Sequence, residues 1–258
     1  MSSEAPAYRR MSVEARRTQL LTAAVDLFGH RRPEDVSVDD VAAAAGVSRP
    51  LVYRYFPGGK QQLYEAAIQG AAQELIGRFA VAPQGAPTRR LADVLDRYLD
   101  YVDEHDAAYA ALMRGGGVAG DGRTGAVVDG VRRRAVQQVL HHLGVARPGP
   151  RLATMVRAWI ASVEAVSLIW LDEGKRPPRA DVRDWLVDQF TALLLVTAAR
   201  DQETADAAAP ALAEETPDSP AGVLVRRLAP LAPLVAHLAK PPGDGADPPG
   251  DGADRPGG

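Results

Sequence analysis

Apolar residues recur at spacings of three and four over most of the first 200 residues, which is the period of an amphipathic helix. The first such stretch predicts a helix over about residues 12–28, with Ser12 suited to its start and Gly29 and Pro33 following its end. Its apolar positions are Leu20, Leu21, Ala24, Leu27 and Phe28. Sustained alternation of apolar and polar residues does not occur in the sequence, so the pattern predicts an all-α fold without a sheet.

Two short helices follow, and their ends carry clear signals. Ser37 is a good N-cap, and Asp40 stands where a capping box has its acidic partner. Gly46 suits the left-handed conformation that ends this helix. Ser48 then caps a second short helix, which tolerates Pro50 in its first turn. Two short helices joined by a glycine-containing turn predict a helix-turn-helix, whose second helix lies in the major groove of DNA.

Further helices are predicted in the rest of the chain, separated by stretches rich in glycine and proline. Their approximate ranges are 60–79, 88–105, 106–113, 123–143, 150–173 and 180–200. The chain divides into an N-terminal arm (1–11), a helix-turn-helix domain (12–59), a helical bundle (60–200), a partly helical extension (201–240) and an acidic Pro/Gly tail (241–258). Residues 221–240 are apolar but contain Pro230 and Pro233, and we expect them to dock on the bundle as an extra helix.

Composition narrows the function classes. The 258 residues include no cysteine, which excludes disulfides, thiol catalysis and cysteine-ligated metal sites. Because no nucleophile motif, metal-ligand spacing or phosphate-binding loop occurs, we expect neither an enzyme nor a bound cofactor. The adjacent His141 and His142 point about 100° apart on a helix and are poorly placed to share a metal ion. Apolar runs stay below the roughly 18 residues of a membrane span, and the N-terminus has no signal-peptide core, so we expect a cytoplasmic protein without a membrane partner.

The net charge of −3 hides an uneven distribution. Residues 201–258 hold ten acidic and four basic residues, which leaves 26 basic and 23 acidic residues, a net +3, in residues 1–200. A mildly basic net charge over residues 1–200 is compatible with DNA binding but is not evidence for it. We expect the acidic tail to weaken non-specific DNA binding by competing with phosphate.

The helix-turn-helix region resembles the DNA-binding region of the TetR family of bacterial repressors. The resemblance covers about 50 residues and rests on Arg17, Leu20, Leu21, Ala23, Ala24, Leu27 and Phe28, then Ser37, Val38, Val41, Ala42, Ala45, Gly46, Val47 and Ser48, then residues 51–56, then Lys60 and Leu63. One departure is that Gly58 and Gly59 make the loop before Lys60 slightly longer than the commonest family pattern.

The resemblance implies roles at the start of each motif helix. Ser37 would offer its hydroxyl and backbone N–H to a phosphate. Ser48, Arg49 and Pro50 would open the recognition helix and face bases or the sugar-phosphate backbone. Arg49 is the best candidate to read a base, because a guanidinium pairs bidentately with guanine. The basic pair at residues 9–10 could reach an adjacent minor groove, or it could be a disordered arm.

It also implies roles further along the recognition helix. Val52 and Tyr53 would touch base edges and backbone. Tyr55 and Lys60 would hold phosphates and fix the register of the protein on DNA without reading sequence. Arg54 is either a further DNA contact or a solvated surface charge, and Tyr55 could instead be a core aromatic.

For the remaining helices, the resemblance implies a ligand cavity in each subunit and a dimer interface built from the last two long helices. The interface candidates are Val163, Val166, Trp170, Leu186, Phe190 and Leu193, and their alternative role is packing inside one subunit. The cavity candidates are Tyr98, Tyr101, Tyr109, Met113, Trp159 and Glu164, and each could instead belong to the core. Glu164 carries the one formal charge between Arg157 and Asp172, and a buried carboxylate there needs a partner.

We therefore expect a homodimeric, sequence-specific transcriptional regulator, most simply a repressor that a small-molecule effector releases from double-stranded DNA. A two-fold dimer presents two recognition helices, so the expected operator is a palindrome. The alternatives are a transcriptional activator and a ligand-independent helical DNA-binding or scaffold protein.

Overall fold

The computed structural model describes residues 11–79, 84–115 and 122–235, and every regular element within these ranges is helical. The helices are α1 (Val13–His30), α2 (Val38–Ala44), α3 (Arg49–Tyr55), α4 (Gly59–Arg78), α5 (Pro87–Glu104), α6 (Asp106–Gly115), α7 (Gly122–His142), α8 (Pro150–Asp172), α9 (Arg179–Ala198), α10 (Gln202–Ala213), α11 (Pro220–Leu228) and α12 (Ala232–Val235), with 3-10 turns at Pro33–Asp35 and Ala229–Leu231. The predicted all-α fold, with an N-terminal helix-turn-helix and a C-terminal helical part, is confirmed.

The first three helices and the start of α4 form a small unit, which we call the head. Ser12 caps α1, and Ser37 and Asp40 form the predicted capping box at the start of α2. Gly46 adopts the expected positive φ of +63° in the turn between α2 and α3. The head has its own apolar core, whose buried members include Leu20, Ala24, Phe28, Val36, Val41, Val52, Phe56 and Leu63.

The remaining helices form a larger unit, the body, around a second apolar core. Helix α4 belongs to both units, because Leu63 and Ala67 lie in the head core while Ile68 and Leu75 lie in the body core. Tyr64 lies between them and packs against both cores. The head is therefore joined to the body through one continuous helix.

A second contact joins head and body at Gly29 in α1. A Cβ at this position would lie 2.8 Å from the backbone nitrogen of Ala108 in α6, closer than such atoms approach in proteins. The absence of a side chain lets the backbones of α1 and α6 meet directly.

The chain beyond α9 turns back onto the body. Asp201 caps α10, which packs on α9, and α11 packs on α9 and α5. The carboxylate of Glu215 accepts hydrogen bonds from the backbone N–H of Thr88 (2.7 Å) and from its hydroxyl (2.8 Å), at the start of α5. The stretch predicted to dock as an extra helix is α11, the 3-10 turn and α12 as far as residue 235. Residues 236–240, the tail at 241–258 and the basic pair at residues 9–10 lie outside the described residues.

Candidate DNA-binding surface and ligand cavity

The recognition helix α3 exposes one face and its N-terminal end. Ser48, Arg49, Pro50 and Arg54 are exposed, and the ring of Tyr53 is 39% exposed. The opposite face packs into the head core. The exposed side chains supply a hydroxyl group from Ser48, two guanidinium groups from Arg49 and Arg54, and the edge of the Tyr53 ring. Side chains of these types contact bases and phosphates in protein–DNA complexes.

Arg49 is held by neighbours on the same surface. Its guanidinium lies 2.7 Å from the carboxylate of Asp39 in α2 and 5.6 Å from the centre of the Tyr53 ring. Hydrogen bonding to Tyr53 and the negative charge of Asp39 raise the pKa of Arg49 further above its already high usual value. The candidate base reader thus starts from an ion pair, and it must exchange Asp39 for a base or share its donors with both.

The structure does not support the predicted contact of Val52 with base edges. The Val52 side chain is 0% exposed and lies in the head core. Val52 in α3 and Phe56, the C-cap residue of that helix, stand four apart on the inward face, which turns Val52 away from solvent. Its side chain supports the recognition helix from behind and does not face a groove of DNA.

Ser37 is exposed, but its donors are already used. Its backbone N–H and hydroxyl donate to the carboxylate of Asp40 at 2.8 and 2.6 Å, and its hydroxyl accepts from the backbone N–H of Asp40 at 3.1 Å. These hydrogen bonds lower the pKa of Asp40. The predicted phosphate contact of Ser37 would compete with this capping box, so Ser37 serves first as the N-cap of α2.

The loop before α4 places the two remaining candidates. Tyr55 is half-buried against the head core, and Lys60 is half-buried and donates from its Nζ to the backbone oxygen of Glu34 at 3.0 Å. Gly59 has a φ of +63°, and a Cβ there would meet the Tyr53 ring at 3.3 Å. The lengthened loop therefore fits closely behind Tyr53, and the hydrogen bond to Glu34 holds Lys60 against the head.

A cavity in the body is enclosed by α4, α5, α6, α7 and α8, and measures about 620 Å³ including its opening to solvent. Four of the six predicted cavity residues line it: Tyr98, Met113, Trp159 and Glu164. Tyr101 does not, because its hydroxyl donates to the backbone oxygen of Ala71 at 3.2 Å within the core. Tyr109 also lies behind the wall, where its hydroxyl is 2.5 Å from that of Tyr98. Burial raises the pKa of both Tyr98 and Tyr109, which keeps them neutral hydrogen-bonding groups.

Arg132 is a cavity residue that the sequence analysis missed. Its guanidinium makes a two-pronged ion pair with Glu164, with Nε 3.0 Å and a terminal nitrogen 2.8 Å from the carboxylate oxygens. Glu164 raises the pKa of Arg132. The pair joins α7 to α8 and supplies the partner that the isolated charge of Glu164 required. The only hint in the sequence was an arginine run at 132–134, which does not reveal a partner 32 residues away.

Four of the predicted dimer-interface residues are core residues of the subunit instead. Val163, Trp170, Leu186 and Phe190 are all 5% exposed or less, and Val163 also lines the cavity. Val166 and Leu193 are half-buried. The solvent-facing apolar stripe of α8 and α9 consists of Ala158, Ala161, Ala165, Ile169, Trp185, Ala192 and Val196, of which Ile169, Trp185 and Val196 are each more than half exposed.

Two further features bear on the class of protein. Among the described helices, α8 is long and apolar enough to cross a membrane by length and composition, a test that core helices also pass. Its Leu152, Val156 and Trp159 face the body core, which identifies the inner side of α8 as packing surface. Within the described ranges, no group of three or more His, Cys, Asp or Glu side chains is placed to hold a metal ion.

Comparison with protein families gives two matches that together follow this architecture. Residues 20–67 match the model described as bacterial regulatory proteins, tetR family, and residues 87–193 match the model of a tetracyclin repressor-like C-terminal domain. The first match runs from within α1 to the first half of α4, and the second covers the cavity helices α5 to α8 and most of α9.

Solved structures resemble the chain over most of its length. A tetR-family transcriptional regulator from Streptomyces coelicolor is 48% identical with a TM-score of 0.78, covering 89% of this chain and 100% of that one. A TetR-like transcriptional regulator from Rhodococcus sp. RHA1 is 27% identical with a TM-score of 0.57, covering 69% of this chain and 96% of that one.

Curated relatives match over a shorter stretch. The HTH-type transcriptional activator FasR of Mycolicibacterium smegmatis is 33% identical over 106 residues, which are 40% of this chain and 48% of the relative. The HTH-type transcriptional regulator BetI of Brucella suis is 39% identical over 83 residues, which are 31% of this chain and 41% of the relative. The matched part of the chain thus spans about half the length of these curated relatives or less.

Proposed function

The chain belongs to the TetR family of bacterial transcriptional regulators, and from that premise we propose that it is a homodimeric repressor released from a palindromic operator by a mainly apolar effector. The observation that carries the DNA-binding part is the exposure of Arg49, Tyr53 and Arg54 on a recognition helix whose other face is fixed in the head core. A helix presented in this way enters the major groove.

We propose the following contacts for the residues of this surface. Arg49 reads a base, with guanine as the preferred partner, after leaving Asp39. Ser48, Pro50 and Tyr53 line the groove beside it, and Arg54 contacts the backbone. Tyr55 and Lys60 hold phosphates from the edge of the head, which fixes the register of the helix without reading sequence.

The dimer is supported by the stripe of exposed apolar residues on α8 and α9. Trp185 and Val196 stand three helical turns apart on one face of α9, and Ala161 and Ala165 supply small residues on α8 that allow close approach. A stripe of large and small apolar side chains facing solvent needs a second partner. A second copy of the same stripe, related by two-fold symmetry, provides it.

The cavity is coupled to the DNA-binding surface through the two contacts between head and body, which are α4 and the approach of α1 to α6 at Gly29. Helix α6 carries the cavity residue Met113 and meets α1 at Gly29, while α4 runs from the cavity wall at Leu75 into the head core. An effector that favours one arrangement of α4 and α6 shifts the spacing of the two recognition helices in the dimer and so changes operator affinity.

Activation is the second candidate, and it is favoured by the similarity to FasR, which is a transcriptional activator. An activator of this architecture binds DNA through the same surface and differs in where its operator lies and in the sign of the effector's effect. Neither function requires chemistry by the protein, so we propose no enzymatic activity, and a regulator of bacterial promoters acts in the cytoplasm.

The first experiment is selection of bound sequences from a random DNA pool by the purified full-length protein, with its mass in solution measured by sedimentation. Recovery of one palindromic site bound by a dimer is the expected outcome. A reporter placed behind that site then separates repression from activation. Recovery of no site above background, with the protein folded, would contradict the proposal of sequence-specific binding.

A further inference from the structure

A second apolar cavity adjoins the first and opens beneath the C-terminal extension. It lies between α5, α7, α9 and α10 and measures about 450 Å³ including its opening to solvent. Leu143, Phe190 and Leu194 form its inner side, and Ala211 and Leu212 of α10 form its outer side. The extension is therefore part of a cavity wall as well as a cover for α9.

The two cavities are separated by side chains that line both. These are Leu91 of α5 and Val139 and His142 of α7. A partition of side chains opens by changes of rotamer, which are much less costly than displacing a helix. A bound molecule that turns these three side chains aside joins the two cavities into one elongated channel.

The polar groups along this channel are already engaged. Glu164 is paired with Arg132, Gln138 is 3.2 Å from the His142 ring nitrogen, and Glu215 accepts from Thr88. Among the described lining residues, the rest of the surface is dominated by aliphatic and aromatic side chains. A charged group buried along the channel would lack a counter-charge, which disfavours ionic ligands there.

The wall formed by the extension is fixed in place by a specific contact. Both oxygens of the Glu215 carboxylate bind Thr88 in the first turn of α5, and the Thr88 hydroxyl in turn accepts from the backbone N–H of Ala221 at 3.2 Å. A carboxylate at a helix N-terminus is favourably placed. Thr88 is buried, so this contact holds α10 over the cavity from inside the body.

We propose that the effector is an uncharged molecule with a long apolar chain, which passes Leu91, Val139 and His142 and ends beneath α10, so that the C-terminal extension closes the effector site. The proposal rests on the proposed function in taking the body cavity as an effector site. It adds the chemical class of the ligand and assigns a binding role to residues 202–215.

The test is calorimetric titration of the full-length protein with octanol, decanol and dodecanol. While the chain still fills the channel, affinity rises about fourfold for each added methylene. Ala211→Phe fills the far end, and we expect it to remove the gain between octanol and dodecanol while octanol binding stays within twofold of wild type. The matched control is Ala209→Phe on the exposed side of the same helix, which retains the wild-type dependence on length.

A second variant acts in the opposite direction and does not depend on inserting a large side chain. Leu194→Ala enlarges the far cavity, and we expect it to strengthen dodecanol binding relative to octanol. Identical length dependence in Ala211→Phe and Ala209→Phe, no change in Leu194→Ala, or failure of every alcohol to bind would overturn the proposal. Operator binding without alcohol is measured on the same samples, so failure of the regulator function is seen separately from failure of the ligand assignment.

Discussion

The head and the body are both helical units around an apolar core, but they differ in how their surfaces are used. The head presents polar, hydrogen-bonding side chains on the outer face of α3 and packs Val52 and Phe56 into its core. The body does the reverse, since it encloses apolar cavities and exposes an apolar stripe on α8 and α9. The surface of α3 therefore suits a polyanion, whereas the cavities and the stripe suit apolar molecules.

The two units contact each other at two places. Their cores meet at Tyr64, whose ring centre is 4.9 Å from that of Phe28, and their backbones meet at Gly29. Changes within either core should be felt mainly by its own unit, whereas changes at these joints should be felt by both.

We expect the largest effect from a substitution in the head core, which should destabilise the head but not the body. Phe56 is fully buried beneath the Arg17 guanidinium, 4.6 Å from its ring centre, and Phe56→Ala should cost about 3–5 kcal/mol of head stability. We expect loss of operator binding, with a body that still binds its effector and keeps most of the helical circular dichroism. Trp159→Ala is the corresponding variant in the body core, and we expect it to impair effector binding more than the stability of the head. If Phe56→Ala instead caused the head and the body to unfold in one transition, the two units would not be independently stable.

We expect a smaller loss of stability from a substitution at Gly29, where the backbones of α1 and α6 meet. Gly29→Ala places a methyl group against the α6 backbone and should destabilise the protein by about 1–3 kcal/mol. Gly70→Ala in α4 is the matched control, because a Cβ there meets nothing within 4 Å and alanine should stabilise that helix by about 0.5–1 kcal/mol. Thermal unfolding of the two variants checks the opposite signs. Equal shifts would show that α1 and α6 do not need their close approach.

The third prediction concerns only the outer surface of the head. Arg49→Ala should weaken operator binding by about 1–3 kcal/mol and relax selectivity at one base position, while leaving thermal stability unchanged. The control is Arg134→Ala on the exposed side of α7, which alters the net charge equally but should leave operator affinity almost unchanged. Titration of labelled operator at fixed salt measures both. An Arg49→Ala variant with unaltered selectivity at every base would remove Arg49 from the reading role.

The smallest effect separates two serines that look alike in the sequence. Ser37 makes the side-chain cap of α2, whereas Ser48 precedes α3 without a side-chain cap hydrogen bond. Ser37→Ala should cost about 1 kcal/mol of stability, and Ser48→Ala should cost almost none but weaken DNA binding. Denaturant unfolding and operator titration are compared for the two variants. A stability loss from Ser48→Ala as large as that from Ser37→Ala would contradict the distinction.

Most of the head could be predicted from sequence because local signals determine it. The capping box at Ser37 and the glycine at residue 46 mark the ends of α2 through interactions within a few residues. The error at Val52 has a similar local origin. A helix of two turns with apolar and aromatic residues on several sides does not reveal which side faces inward until the rest of the head, α2 above all, is packed against it.

The body was harder to predict because long-range packing determines its sites. Leu186 and Phe190 lie on α9, whose apolar residues occupy more than one face, so the sequence could not separate the face that meets the subunit from the face that meets solvent. The pairing of Arg132 with Glu164 and the approach of Glu215 to Thr88 join residues 32 and 127 positions apart. Such contacts leave no periodic trace in the chain.

The contact between Arg49 and Asp39 bears on how the protein searches a genome. On the proposed base-reading role, Asp39 competes with DNA for the Arg49 guanidinium. Where no guanine stands in reach, the ion pair would persist and Arg49 would add little to the attraction between the protein and DNA, because association with non-specific DNA is governed by the number of freely available cations. At a matching base the guanidinium would exchange Asp39 for the base, so the ion pair would favour release from wrong sites more than release from the operator.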